Sequence, residues 1–349
     1  MSNGKKSLKI LVTGATGFIG AHTIVALLRE GYSVRALVRS VEKFQKVLDL
    51  HGVSVDDVVT GDVTDQEAVR KALDGCDGVI HTAAMISTQK KDQDLVYDTN
   101  VNGTRYVIGG AVDAGLQHII HVSSVTALYD ATQTYLTGDL PFARSDSPYG
   151  KSKAAAEEFV RSLQERGAPI TVTYPAAVIG PLDITCTEPH EGLLIFLKKA
   201  AIVTSTGIQY VDVRDVADAH VAIIKKKVKG ARITVGGHYY TWFSLARELE
   251  EVTGRYLMKV FIPATAMKWA GRAGDILVKY GISKGVINGE SIKYATRWVC
   301  TDDALFHDKL GLVYRPARQT MEDAVHSLWK MGFLESSEVG LLAARKRDS

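Results

Sequence analysis

The stretch KILVTGATGFIGAHTIVALLRE, from Lys9 to Glu30, decides the predicted fold. It opens with a short apolar run, Lys9 to Thr13, which has the length and β-branched content of a buried strand. A glycine-rich turn follows, and an amphipathic helix is predicted from Phe18 to Glu30. This order of strand, turn and helix is typical of the first unit of a parallel sheet.

The turn carries glycines in a GxxGxxG array. Glycine there allows a tight turn, close approach of the backbone to a pyrophosphate, and close packing of helix on strand. The helix N-terminus also offers free N–H groups to phosphates. Such glycines also occur in structural turns, but their place between a strand and a helix favours a dinucleotide site. The predicted cofactor-binding residues of the loop are Gly14, Thr16, Gly17, Phe18, Ile19 and Gly20.

Short apolar runs and longer amphipathic stretches alternate over the next residues, as crossover helices on a parallel sheet require. Further strands are predicted at Ser33 to Val38, Val55 to Thr60, Gly78 to Thr82, His118 to Ser123 and Ile170 to Tyr174. Further helices are predicted at Val41 to Leu50, Asp65 to Leu73, Leu95 to Ala114 and Ser147 to Arg166. Thr64 and Glu67 have the spacing of a capping box.

The pattern predicts an α/β fold, a doubly wound parallel (Rossmann) sheet with a smaller C-terminal substrate lobe. Residues 1–180 are predicted to form the dinucleotide-binding domain, to which residues 209–235 return through a strand and the helix Val213 to Lys226. Residues 181–208 and 236–349, with a helix at Phe243 to Thr253, are predicted to form the substrate-binding lobe.

The composition is that of an ordinary globular protein. The chain has 349 residues, and 42 basic against 39 acidic residues give a net charge of +3. This balance indicates small-molecule partners rather than nucleic acid. Cys76, Cys186 and Cys300 lie far apart without a CxxC, which argues against disulfides or a metal site. Such scattered thiols indicate a reducing compartment, so we expect a cytoplasmic protein. No run approaches the roughly 18 apolar residues of a membrane span.

The end of the second predicted strand bears on the cofactor. An acidic residue that binds the ribose hydroxyls of NAD is typical there, but this chain has Arg39, followed by Lys43. A guanidinium can bind a 2′-phosphate in a bidentate manner, so NADP is favoured, with NAD as the alternative. The alternative is that both residues are solvated surface charges.

Other strand ends supply candidate cofactor contacts. Asp62 and Val63 end the third strand and would flank the adenine, the carboxylate accepting from its amino group. Thr82, Ala83 and Ala84 end the fourth strand with small side chains, which let a cofactor pass close to the backbone. Each group is also typical of an ordinary turn.

Tyr149 and Lys153 stand four residues apart in YGKSK, on one face of a predicted helix. A phenol is a poor acid at neutral pH, but a neighbouring ammonium and a cationic nicotinamide would stabilise the phenolate. Ser123 and Ser124 end the preceding strand, and the Ser124 hydroxyl is the candidate for holding a substrate oxygen. Another YxxxK, at Tyr280 and Lys284, is flanked by glycines that disfavour a helix.

These motifs, in this order, resemble the extended short-chain dehydrogenase/reductase superfamily, which includes the NAD-dependent epimerase/dehydratase family, dihydroflavonol-4-reductase-like enzymes and 3β-hydroxysteroid dehydrogenases. The resemblance is carried by TGATGFIG, GDVTD, HTAA, TNVNGT, YGKSK, YPAAVIGP and VDVRDVADAH. It implies that Ser124, Tyr149 and Lys153 are catalytic and that Asn100 supports them. It also implies that Pro175 and Val178 line the nicotinamide.

The resemblance implies a hydride transfer between NAD(P)H and a ketone, an aldehyde or a secondary alcohol. The segment after Gly180 is rich in aliphatic residues, which indicates an apolar substrate, although Leu193, Phe196 and Leu197 have helical spacing and fit a core equally well. The alternatives are an NAD-dependent nucleotide-sugar epimerase or dehydratase, and a dinucleotide sensor without catalysis. By analogy we expect a homodimer.

Overall fold

The computed structural model describes residues 7–86, 90–143, 147–263 and 296–345. The strands in these ranges are β1 (Lys9–Thr13), β2 (Ser33–Val38), β3 (Asp57–Thr60), β4 (Gly78–His81), β5 (His118–Val122), β6 (Tyr135–Leu136), β7 (Ile170–Pro175), β8 (Ala177–Ile179), β9 (Ala201–Val203), β10 (Gly207–Asp212), β11 (Arg232–Val235), β12 (His238–Thr241), β13 (Lys259–Phe261) and β14 (Cys300–Thr301). The α-helices are α1 (Phe18–Arg29), α2 (Val41–His51), α3 (Gln66–Leu73), α4 (Gln93–Tyr97), α5 (Gly110–Asp113), α6 (Pro148–Glu165), α7 (Glu188–Lys198), α8 (Val213–Lys225), α9 (Trp242–Thr253), α10 (Ala317–Lys330), α11 (Ser336–Val339) and α12 (Leu341–Arg345).

A seven-stranded sheet contains the six predicted strands and one further strand, β11. Its order is β11-β7-β5-β4-β1-β2-β3, and all neighbouring strands pair in parallel. The prediction of an α/β doubly wound sheet is confirmed. The strand order reverses at β1, between β2 and β4, and a doubly wound sheet opens its ligand crevice at such a point.

Successive side chains along each strand point to opposite faces of the sheet, and helices cover both faces. In β1, Ile10 and Val12 pack in one core, with residues of α1, α2 and α8, whereas Leu11 packs in the other, with residues of α3 and α6. All three side chains are fully buried. A strand buried on both faces reads as a continuous apolar run, which is why the sequence marks these strands so clearly.

The second half of the chain builds a smaller sheet, β12-β10-β8, over a third core. Within the returning segment 209–235, β10 joins this smaller sheet, whereas β11 joins the large one. Leu193, Phe196 and Leu197 of α7 are buried in the third core, so they are core residues rather than pocket wall. No helix within the described ranges has the length and apolarity needed to cross a membrane.

The helix predicted from Leu95 to Ala114 is present but irregular: α4 continues without a break into π-helical turns at Asp98–Asn102 and Arg105–Gly109 and then into α5. Within it the Thr104 hydroxyl donates to the Asn100 carbonyl at 2.6 Å, a contact that competes with the regular helical ladder.

The predicted capping box at Thr64 and Glu67 is wrong. The N-cap of α3 is Asp65, whose carboxylate accepts from the Glu67 and Ala68 N–H groups. Thr64 lies one residue earlier, and its hydroxyl donates to Asp62 instead.

Candidate active site

The loop after β1 uses glycine where no other residue fits. Gly14 has a φ of +69°, and a Cβ on it would lie 2.6 Å from Ala83 N. A Cβ on Gly20 would lie 2.2 Å from Gly14 O. Gly17 is the N-cap of α1 and provides no side-chain cap, so the first N–H groups of the helix face the loop unblocked by a side chain.

The ends of β1 and β4 are tied together beside this loop. The Thr82 hydroxyl donates to Thr13 O at 2.7 Å. Farther along, Asn100 fixes the chain after β4: its Oδ1 accepts from Met85 N at 2.7 Å, and its Nδ2 donates to Met85 O at 2.9 Å. The same Nδ2 lies 2.9 Å from Ser152 Oγ, on α6. Asn100 therefore links the segment after β4 to α6, the helix that carries Tyr149 and Lys153.

The two serines after β5 have different environments. Ser123 is buried, and its hydroxyl has no hydrogen-bond partner within the described ranges. Ser124 is half-buried, and its Oγ accepts from the Thr126 N–H at 3.2 Å and from the Thr126 hydroxyl at 2.9 Å. Since both contacts use lone pairs of Ser124, its own proton can be donated to a substrate oxygen.

Tyr149 and Lys153 lie on the first turns of α6, which begins where the Ser147 hydroxyl accepts from Gly150 N–H. The Lys153 Nζ is 5.9 Å from the centroid of the Tyr149 ring and 3.5 Å from Val122 O, at the end of β5. Burial lowers the pKa of Lys153 to about 8, and the charge of Glu157 opposes this shift. The ammonium form therefore predominates at pH 7.

The predicted 2′-phosphate residues lie on the surface. Arg39 is 81% exposed, and its guanidinium is 3.6 Å from Asp62 Oδ2. Lys43 is exposed on the first turn of α2, and its N–H donates to Ser40 Oγ. The other oxygen of Asp62 accepts from the N–H and the hydroxyl of Thr64, which fixes the carboxylate.

The remaining predicted residues lie at the carboxyl edge of the large sheet or beside it. Three of them are buried: Val63, Pro175 and Val178. The others are half-buried or exposed: Thr16, Phe18, Ile19, Ala83 and Ala84. The alternative pair, Tyr280 and Lys284, lies outside the described residues. Within those residues no cluster of three or more His, Cys, Asp or Glu side chains could hold a metal ion.

Sequence reasoning missed a set of buried polar groups beneath this edge. His81 and His121, on neighbouring strands, stack with ring centroids 5.7 Å apart. Burial lowers the pKa of His81 to about 3 and that of His121 well below its usual value, so both rings are neutral. Glu157 is also fully buried. The sequence did contain a signal for Glu157. It stands four residues after Lys153, so it lies one turn farther along the helix face that carries Tyr149 and Lys153.

Two features fit a bound dinucleotide. The absence of a side chain on Gly14 lets the loop pack directly against Ala83 at the end of β4, the tight turn that a dinucleotide-binding loop requires. The unpartnered hydroxyl of Ser123, among the described residues, offers a buried hydrogen-bonding group at the end of β5. A nicotinamide dinucleotide would supply or accept the hydride. Gly14, Gly17 and Gly20 would hold its pyrophosphate, and Lys153 its nicotinamide ribose.

A doubly wound sheet with a glycine-rich first turn and a Tyr, Lys and Ser cluster defines an NAD(P)-dependent enzyme of the extended short-chain dehydrogenase/reductase type. The family model described as NAD dependent epimerase/dehydratase family matches residues 10–236. The chain therefore belongs to the NAD-dependent epimerase/dehydratase family.

Individual relatives cover nearly the whole chain. Cinnamoyl-CoA reductase 1 of Oryza sativa subsp. japonica is 32% identical over 349 residues, 95% of this chain and 94% of that protein. Sterol demethylase protein B of Methylococcus capsulatus is 31% identical over 323 residues, 90% of this chain and 96% of that protein. The crystal structure of gox2253 has a TM-score of 0.79 at 26% identity and covers 93% of this chain and 99% of that one.

Proposed function

We propose that the protein is an NADPH-dependent reductase of ketones or aldehydes on apolar substrates, with Tyr149 as the general acid. The observation that carries this proposal is the placement of the Lys153 ammonium 5.9 Å from the Tyr149 ring and 3.5 Å from the end of β5. Ser124 lies two residues after the end of β5. One small region thus contains a proton donor, a charge that stabilises its phenolate and a hydrogen-bond donor for the substrate oxygen.

The proposed reduction adds one hydride and one proton to the substrate carbonyl. As hydride reaches the carbonyl carbon, negative charge develops on the carbonyl oxygen, and the Ser124 hydroxyl donates a hydrogen bond to it. Tyr149 transfers its phenolic proton to that oxygen, which completes the alcohol. Lys153 stabilises the phenolate that remains, and a proton from solvent restores the phenol.

Tyr149→Phe tests this chemistry. We expect the variant to lose about 10²-fold or more in kcat for NADPH-dependent reduction of hydrophobic carbonyls, because it cannot transfer the proton. Binding of NADPH, measured by thermal stabilisation, should persist. Tyr256 is exposed and provides a matched control, since Tyr256→Phe removes the same hydroxyl at the protein surface. Full activity in Tyr149→Phe would refute the proposed mechanism.

The preference for NADP rests on Arg39 and Lys43. A 2′-phosphate carries two or nearly two charges and could replace the long contact between Arg39 and Asp62. We expect NADPH to raise the melting temperature more than NADH does at equal concentration, because a ligand bound by the folded state stabilises it. Arg39→Gln should remove the difference, whereas Lys46→Gln, at an exposed pair with Glu42, should not. Equal or greater stabilisation by NADH would overturn the preference.

The second candidate is a nucleotide-sugar epimerase or dehydratase, which the family description favours. In that case hydride returns to the substrate within each cycle, and added NADPH is not consumed. Protein purified with tightly bound NAD and no net NADPH turnover on carbonyl compounds would support it. The name of the Methylococcus relative, sterol demethylase protein B, supports an apolar substrate here instead.

Three further expectations belong to this proposal. Residues 181–208 and 236–349 would cover the carboxyl edge of the sheet as the substrate-binding lobe. The helical faces around α4, α5 and α6 would form a homodimer interface, by analogy with the fold. The protein would act in the cytoplasm. Size-exclusion chromatography with light scattering tests the dimer, and a mass near that of one chain, 37.9 kDa, would contradict it.

A further inference from the structure

Lys153 lies in surroundings that disfavour a positive charge. Its side chain is almost fully buried, and its hydrogen bond to Val122 O is long, at 3.5 Å. The rings of His81 and His121, packed on the neighbouring strands, are neutral and cannot balance an ammonium. Tyr149 presents its ring rather than a carboxylate. A buried ammonium without a counter-charge loses its proton readily.

Glu157 is the carboxylate whose charge favours the ammonium form of Lys153. It lies one helical turn after Lys153 on the same side of α6 and is fully buried. Its Oε1 accepts from Arg161 Nε at 2.8 Å and from the Tyr174 hydroxyl. Its Oε2 is buried and has no partner within the described residues. One oxygen is therefore anchored by Arg161 and Tyr174, and the other accepts no hydrogen bond from the described residues.

The anchor is itself fixed. Arg161 donates from Nη1 to Leu140 O at 2.6 Å and from Nη2 to Gly138 O at 3.0 Å, in the loop that precedes α6. Desolvation and the neighbouring Glu157 charge raise the pKa of Tyr174 well above its usual value, so this phenol stays a donor. The carboxylate of Glu157 is thus held in place by its ion pair with Arg161.

We propose that Glu157 is a positioning residue that keeps Lys153 in its ammonium form, so that the charge needed beside Tyr149 persists at neutral pH. Arg161 and Tyr174 hold the carboxylate where it does this. The proposal rests on the proposed function for its catalytic meaning, since the ammonium matters because it stabilises the phenolate. The protonation of Lys153 can nevertheless be measured without any turnover.

The test is a direct titration of Lys153. In protein labelled with ¹³C at the lysine ε-carbon, the Lys153 resonance is assigned by its absence from Lys153→Met. Its chemical shift, followed against pH in the cofactor-free protein, gives the pKa. We expect a value near 8 in the wild type, and a value lower by about one unit in Glu157→Gln, the shift typical of losing a nearby opposite charge.

Matched variants separate charge from structure. Glu158→Gln makes the same change at the next residue, on the exposed side of α6, and should leave the pKa of Lys153 unchanged. Tyr174→Phe removes one hydrogen bond to Glu157 but keeps its charge, so it should shift this pKa less than Glu157→Gln does. If Glu157→Gln does not fold, Glu157→Gln/Arg161→Gln removes both opposite charges together and serves in its place.

The two failures are distinguishable. An unchanged pKa of Lys153 in a folded Glu157 variant overturns this inference, whatever the enzyme catalyses. A lowered pKa together with no NADPH turnover in the wild type supports the inference and refutes the reductase. If the Glu157 inference and the reductase proposal are both correct, the alkaline limb of the pH profile for kcat should shift to lower pH in Glu157→Gln. The shift should equal the change in the pKa of Lys153, while KM changes little. A purely structural role would not move that limb.

Discussion

Replacing His220 with Gln should make the protein more resistant to acid. His220 is completely buried, with Nδ1 3.0 Å from Thr23 Oγ1 and Nε2 3.3 Å from Thr173 Oγ1. Burial lowers its pKa from 6.5 to about 3. Below pH 6.5 the unfolded chain therefore binds a proton that the folded protein excludes, and stability falls as the pH falls towards 3. Between pH 7 and pH 4 this linkage removes about 3 kcal/mol of unfolding free energy.

The assay is urea unfolding of the wild type and His220→Gln at pH 7 and pH 4. At pH 7 the variant should be less stable by about 1–2 kcal/mol, because it loses buried hydrogen bonds. At pH 4 the order should reverse, since the variant has no imidazole to protonate. Thr173→Val, which removes one hydrogen-bond partner but keeps the ring, should retain the pH dependence of the wild type. A stability difference between wild type and His220→Gln that is the same at both pH values would refute the linkage.

Three further outcomes are expected. Gly20→Ala should lower the melting temperature and abolish stabilisation by NADPH in thermal-shift measurements, because its Cβ would lie 2.2 Å from Gly14 O; normal NADPH binding would contradict the loop geometry. Ser124→Ala should reduce kcat by about 10²-fold in steady-state kinetics, because it loses a hydrogen-bond donor to the developing oxyanion, whereas Ser124→Thr should retain most activity. An unchanged kcat in Ser124→Ala would show that the hydroxyl is dispensable. Carbonyl reduction should decline above about pH 8, where Lys153 loses its proton, and initial rates that stay constant to pH 10 would exclude that dependence.

The fold could be predicted because its signals are local. Each strand of the large sheet is a short apolar run, and the turn after β1 admits no side chain at Gly14 or Gly20. Strand ends moved by a residue or two, as for β3, which begins at Asp57 rather than Val55. The sequence did not predict that β10 joins the smaller sheet, because the residue pattern of a strand does not specify which sheet it pairs with.

The candidate site was predictable in part. Tyr149 and Lys153 stand out by their spacing on a helix that follows a strand ending in serines. The hydrogen bonds of Asn100 to Met85 and Ser152 depend on three separate elements, which a single sequence does not bring together. The neutral state of His121 likewise follows from packing that only the fold reveals.

The position of β11 has a consequence for how the chain acquires its structure. This edge strand pairs with β7, yet it is synthesised only after β8, β10 and α8. Until it arrives, the growing polypeptide presents the bare edge of β7, a template on which other chains can add. Such late, distant pairing also slows folding, because a long loop must close first. Nascent chains that stop before Arg232 should therefore be the aggregation-prone intermediates and the natural clients of chaperones.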